Sequence, residues 1–361
     1  MRERAGFERE LRELFPAEEP EREYELRGDW QAEQAFQKAE LSTPEQDERG
    51  AITVTAFRFP GTTNQVALVF AGVHGSEPQG VTAAEEVLNK LKDASTRGVK
   101  PKFTTIVIPR LIQTSRFSKR GTAIERLVLV GSRKIEPNRN FPAPGESYDY
   151  ARERGQRRAD KAELLDCKGT KASDDKVTHR MLAETRILTQ LIEREKPVRA
   201  WSIHSHSIPG VAGDGPGIFV DPRGGFNEHT GAAFTTDGKF DDTLALDLFT
   251  FARTAVIQGL GLPLRDNAGR KDLSDPFKGN LLATLGRFLP IPTVHYATTK
   301  HPCGTSFGMW APEPERSGLR KGITTITSEL PQYERVAQSN AAAEMVRVHV
   351  ETLLRRFIEL P

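Results

Sequence analysis

The chain is predicted to be an α/β domain: a mixed central sheet flanked by helices on both faces, with its site at the carboxyl ends of the strands. Two observations predict this. The run VALVFAGV at 66–73 is apolar and bounded by polar residues, long enough for a buried strand and too short for a membrane span. Strand-like and helix-like stretches then alternate along the chain, the order produced by a mostly parallel or mixed sheet covered on both sides.

Taken in order, residues 1–49 are dense in Arg and Glu and interrupted by Pro16, Pro20 and Pro44. They are expected to form one or two solvated helices, a charged N-terminal extension outside a main domain at 50–361. Residues 51–59 (AITVTAFRF) alternate in strand fashion, and the Pro60-Gly61 turn leads them towards the 66–73 strand as a hairpin. A helix over 81–92 follows, with Val81, Val87 and Leu91 on its apolar side. Residues 103–109 (FTTIVIP) read as a strand, and Arg110, Arg116, Lys119 and Arg120 as a basic loop. Residues 142–175 are charged and without period, a surface insertion. Val177, Met181, Leu182, Leu188, Leu191 and Ile192 give 176–195 a helical spacing that Pro197 ends before the strand VRAWSIHS at 198–205. The Gly/Pro/Asp-rich residues 207–240 read as a long loop and 242–260 as a helix. Strands at 293–299 and 322–330 precede a final amphipathic helix over 338–358. No internal repeat is visible.

Composition bounds the partners. The 361 residues carry 51 basic and 49 acidic side chains, a net charge of +2. That balance gives no reason to expect nucleic acid or an anionic membrane as partner. With no membrane-length apolar run and a charged start, MRERAGFERE, the chain is expected in the cytoplasm. Cys167 and Cys303 are too few for a disulfide framework and are read as structural thiols.

Chemistry concentrates at strand exits. His74 and Glu77 follow the 66–73 strand, Gly72 and Gly75 leave the backbone open around His74, and Pro78 suits the first turn of the next helix. His204 and Glu329 end two later strands. An imidazole and a carboxylate together suit zinc, and a catalytic zinc needs a third protein ligand with one position left open. Each residue alone is better explained as a helix cap, a satisfied buried histidine or an exposed carboxylate; the four together point to a site. A competing GxSxG at Gly304–Gly308 lacks the helix a nucleophile elbow requires, because Pro312 and Pro314 follow it. Gly213, Gly215 and Gly217 are not followed by the Lys-Ser/Thr of a phosphate loop.

On these motifs the sequence resembles the zinc metallocarboxypeptidases over roughly residues 50–335. HGSE (His74, Glu77) is similar to the family's HxxE, NRNFP at 138–142 to its substrate-carboxylate motif, SIHSHS at 202–207 to the strand of its last zinc ligand, and ITSEL to the strand ending on its catalytic Glu. Of the family's branches, HGSEPQG is most similar to the murein-peptide amidases. The resemblance implies one Zn²⁺ held by His74, Glu77 and His204, with Glu329 as general base. It implies that Asn138 and Arg139 bind a substrate carboxylate and that Tyr296, as the candidate for the family's mobile tyrosine, binds substrate. Arg120 stands nearest the place of the carbonyl-polarising arginine, with Arg116 and Arg133 as competitors. Glu136 stands where the family has an Asp that accepts a hydrogen bond from the first zinc histidine, and His206 is placed for substrate contact. The implied activity is hydrolysis of the C-terminal amide bond of a peptide or murein peptide. Alternatives on the same fold are a small-molecule N-deacylase and a non-catalytic peptide-binding protein. The chain departs from the family at Ile108-Pro109-Arg110-Leu111, where Asn-Pro-Asp-Gly is usual.

Overall fold

A computed structural model describes residues 26–43, 50–131, 133–141, 182–206, 217–221, 290–291, 307, 323–331 and 339–361. In chain order the strands are β1 (Gln31–Ala32), β2 (Gln37–Ser42), β3 (Thr53–Phe59), β4 (Val66–Ala71), β5 (Thr104–Ile108), β6 (Phe117–Arg120), β7 (Ala123–Val130), β8 (Arg133–Ile135), β9 (Arg199–His206), β10 (Gly217–Asp221), β11 (Pro290–Ile291) and β12 (Thr324–Pro331). The helices are α1 (Pro78–Thr96), α2 (Ala183–Glu195) and α3 (Ser339–Thr352), the last running into a π-helical turn at Leu353–Phe357.

One mixed sheet carries the spatial order β1-β2-β3-β5-β4-β9-β12-β10-β11. Its centre, β5, β4, β9 and β12, is parallel throughout. Every residue of β4 is buried, which is what an uninterrupted apolar strand demands. Alternation sends its side chains to two cores. Ala67, Val69 and Ala71 face a cluster built with α1 and α3, while Val66, Leu68 and Phe70 face one built with α2. Helices therefore cover both faces, as expected. Trp201 ties the first core together: its ring meets Phe357 edge-on at 5.1 Å and its Nε1 donates to Ser328 Oγ at 2.8 Å. No helix among the described residues is long and apolar enough to cross a membrane.

Several expectations change. Residues 51–59 and 66–73 do not pair as a hairpin: β3 bonds antiparallel to β5, which lies between it and β4. The β4–α1–β5 crossover places β5 parallel beside β4 and so fills that edge. The N-terminal stretch is not helical in its described part. β2 pairs with β3 and buries Ala39 and Leu41, so residues 31–32 and 37–42 belong to the main sheet. The basic loop after β5 is instead a small antiparallel sheet, β6-β7-β8. Within the expected 207–240 loop, β10 pairs antiparallel with β12. The helix expected at 242–260, the strand at 293–299, the insertion at 142–175 and both cysteines lie outside the described residues.

Candidate metal centre

The exit of β4 is pinned before any ligand appears. Leu111 N–H donates to Ala71 O at 2.8 Å and Ile112 N–H to Gly72 O at 3.1 Å, so the turn carrying His74 leaves the sheet in one direction. Gly75 allows the turn to pass under Phe117, whose ring carbon would lie 2.3 Å from a Cβ there. Pro78 occupies the first turn of α1, and Glu77 sits at the N-cap position without its side chain capping the helix. That carboxylate turns to the site instead. Gly80 lets the first turn of α1 lie against β9: a Cβ would stand 2.8 Å from Ile203 O, one residue before His204.

The three side chains converge in a buried place. His74, Glu77 and His204 are 3%, 8% and 2% exposed. Glu77 Oε1 lies 2.6 Å from His74 Nδ1, Glu77 Oε2 lies 2.9 Å from His204 Nδ1, and the two Nδ1 atoms are 3.2 Å apart. Ser205 N–H donates to Glu77 Oε2 at 3.2 Å. Among the described residues this is the group of His, Cys and carboxylate side chains placed to share one metal ion.

The far nitrogen of each ring has its own partner. His74 Nε2 meets Glu136 Oε1 at 2.6 Å, and His204 Nε2 meets Ser202 Oγ at 2.9 Å. Facing a carboxylate, His74 Nε2 donates, so a neutral ring has a lone pair at Nδ1 aimed at Glu77. Two acceptors at that distance repel unless a proton or a cation stands between them. The donor set therefore fits a small cation. The Nδ1–Nδ1 separation is also close to the roughly 3.3 Å edge of a tetrahedron with bonds of about 2.0 Å, the zinc–nitrogen length. A carboxylate behind a ligating imidazole is the arrangement that fixes its tautomer and orientation.

Electrostatics follow from the same contacts. Burial opposes charge on His74, but the Glu77 and Glu136 carboxylates outweigh it and push the imidazole up to about 9. Burial likewise works to raise Glu77, and the two imidazoles facing it hold it well below the usual carboxylate range. For His204, burial dominates and lowers it from 6.5. Because the folded value of His74 lies above 6.5, its pairing stabilises the metal-free protein fully below about pH 6.5 and is lost as pH rises through about 9. A metal ion held by His74 through Nδ1 would displace that proton. Zinc uptake at pH 7 is expected to release about one proton and to tighten tenfold per pH unit until about pH 9. Calorimetric titration in buffers of different ionisation enthalpy reads the proton; a heat independent of buffer would show that His74 enters neutral.

The NRNFP segment is held beside this cluster at both ends. Glu136 Oε1 also accepts from Asn138 N–H at 3.1 Å, opening the short 3₁₀ turn Pro137–Arg139. Asn140 Oδ1 accepts from Leu182 N–H at 2.6 Å and Thr185 Oγ1 at 3.0 Å, satisfying the N-terminus of α2. Phe141 packs edge-on with Phe307, which in turn meets Phe70 at 4.8 Å. Asn138 is thus brought next to the cluster and is buried, while of Arg139 the backbone in the turn is described.

Glu329 is the register partner of His204 across β12 and β9, so the two positions share a face of the sheet. Arg120 is exposed near the β6–β7 turn, where its charge acts on Glu125, and Arg116 is half-buried. Tyr296 lies outside the described residues, as do the side chains of His206 and Arg133. The arginine in contact with the cluster's supporting carboxylate is one the sequence reading passed over. Arg126 Nε lies 2.6 Å from Glu136 Oε2. Its signal was present: in AIERLVLV it alternates with Val128, which pairs with Ile135, the residue before Glu136.

The fold has solved counterparts. Bovine thrombin-activatable fibrinolysis inhibitor, in complex with tick carboxypeptidase inhibitor, superposes with a TM-score of 0.50 at 9% identity over 98% of this chain and 93% of the other. The chain has a carboxypeptidase-like fold. Carboxypeptidase A from Helicoverpa armigera matches at TM-score 0.47 and 13% identity, over 88% of this chain and 68% of the other. A murein-tripeptide amidase from Escherichia coli O157 matches at 0.39 and 16%, over 84% and 87%. No family model matches the sequence, and no curated protein matches it. Within the carboxypeptidase-like fold, His74 and Glu77 leave the central β4 while His204 comes from its parallel neighbour β9. The site thus lies at the carboxyl edge, where open α/β sheets place their ligands.

Proposed function

We propose that the chain is a zinc-dependent hydrolase that cuts the C-terminal amide bond of a peptide, with murein peptides among its substrates. The observation that supports this best is the convergence of two Nδ1 atoms and a carboxylate within 3.2 Å, each ring held from behind by Glu136 or Ser202. His74, Glu77 and His204 would hold one zinc, which supplies a Lewis acid and a water of lowered pKa. The protein's own residues do the rest. Glu329 takes a proton from the attacking water and returns it to the leaving amine. Asn138 and Arg139 bind the terminal carboxylate, an amide donor beside a planar fork that matches both oxygens. Arg120 is assigned to the scissile carbonyl and Tyr296 to substrate binding on the family resemblance.

Specificity for a free C-terminus is the feature to test. Zinc-loaded protein is expected to cleave peptides with a free carboxylate and to leave their C-terminal amides intact, the panel including a murein tripeptide with its γ-D-Glu to diaminopimelate bond. In Arg139→Ala, KM is expected to rise, by roughly 10- to 100-fold if about 1.5–3 kcal/mol of charge-assisted hydrogen bonding is lost, with kcat changed far less. Equal turnover of blocked and free peptides would exclude the exopeptidase reading. Cleavage of N-acyl amino acids with no peptide cleaved would move the assignment to a deacylase.

A further inference from the structure

Glu136 uses its two oxygens for different purposes. Oε1 accepts from His74 Nε2 at 2.6 Å and from Asn138 N–H at 3.1 Å, and Oε2 accepts from Arg126 Nε at 2.6 Å. The carboxylate is buried, whereas the arginine side chain is 48% exposed on β7. Three parts of the chain therefore meet on one carboxylate: the turn after β4, the 3₁₀ turn after β8, and a strand of the small sheet.

We propose that Arg126 is a positioning residue for the metal centre, clamping Glu136 so that His74 presents Nδ1 to the same point as Glu77 and His204. The assignment rests on the metal-centre reading above. The physical need comes from side-chain length. A glutamate has one more rotatable bond than an aspartate, so a grip on Oε1 leaves the carboxylate plane free to turn about its last torsion. A second donor on Oε2 removes that freedom. Arginine suits the task because its donors lie in a rigid plane and stay charged, so the ring behind it is aimed rather than merely neutralised. The exposed side of Arg126 makes the contact separable from the core: truncation there opens no cavity among buried apolar side chains.

The test compares Arg126→Ala, Arg126→Lys and Glu136→Ala with the unaltered protein. Zinc affinity is measured by chelator competition, and the visible spectrum is recorded after cobalt substitution. Arg126→Ala is expected to weaken zinc binding roughly 10- to 100-fold, as the loss of a partner behind a ligand does, and to alter the cobalt bands. Arg126→Lys keeps the charge without the planar fork and is expected to recover part of the affinity. In the Glu136→Ala background, removing Arg126 is expected to cost nothing further, because the two act through one path. The thermal midpoint of the metal-free protein serves as the structural control. Unchanged zinc affinity and an unchanged cobalt spectrum in Arg126→Ala would overturn the assignment, as would losses in the two single variants that simply add. Absence of zinc or cobalt uptake by the unaltered protein would instead overturn the metal-centre reading, and this assignment with it, before any variant is compared.

Discussion

Glu329→Gln is expected to keep about one zinc per chain and the substrate's KM while kcat falls by roughly 10²- to 10⁴-fold, the range a positioned general base contributes. The position is rigidly placed even though the prediction concerns chemistry. Ser328, the preceding residue, receives Trp201 Nε1–H at 2.8 Å, and Leu330 after it is fully buried. Register then sets residue 329 opposite His204 on the same face of the sheet. Glutamine preserves volume and hydrogen bonding at that place and removes the ability to take a proton, so a pure loss of kcat is the signature of base chemistry. Metal content and single-turnover rates measure it directly. A rate equal to that of the unaltered protein would remove Glu329 as the base, whereas absence of hydrolysis of any peptide by the zinc-loaded unaltered protein would favour a deacylase or a peptide-binding role.

Loss of the third ligand has the other large effect. His204→Ala is expected to bring zinc to well below one per chain and to abolish the zinc-dependent rise in Tm. At a free zinc concentration a thousand times Kd, that rise corresponds to about 4 kcal/mol of stabilisation in the unaltered protein. The substitution leaves Glu77 Oε2 with the Ser205 N–H at 3.2 Å, so the carboxylate retains a partner and the metal-free fold survives for comparison. Ser202→Ala is the graded control: it removes the group 2.9 Å behind the ring without removing the ring, and a 10- to 100-fold weaker affinity is expected. Retention of stoichiometric zinc by His204→Ala would show that the ligand set is misassigned.

Local pattern carried the central strand and the start of the site. An apolar run without a charge can be placed only with both faces covered, and Pro78 can begin a helix but not continue one. β4 and α1 were therefore readable from neighbouring residues, and with them the placement of His74 and Glu77 at a strand exit. The strand carrying His204 was legible because Pro197 ends the preceding helix and VRAWSIHS follows with Val198, Trp201 and Ile203, residues that favour strands. The partner of His74, Glu136, was read from a family pattern rather than from its own surroundings, and the contact with His74 Nε2 agrees with that reading.

What escaped the sequence was pairing at a distance. Nothing in AITVTAFRF distinguishes an antiparallel neighbour 7 residues away from one nearly 50 residues on, and the β4–α1–β5 crossover decides it by filling the edge of β4. β2 was hidden because QKAELS buries just Ala39 and Leu41, too little to register as a strand until β3 supplies an edge. Arg126 was hidden in the same way: a guanidinium in a hairpin reaches the carboxylate behind His74 when β7, β8 and the 3₁₀ turn bring it to Glu136. By itself the sequence determined which residues could carry the chemistry, because donor type and local periodicity are properties of neighbours along the chain. Which of them share one carboxylate, and which ring nitrogens face each other at 3.2 Å, was decided by sheet order and register, which are set by burial across the whole domain.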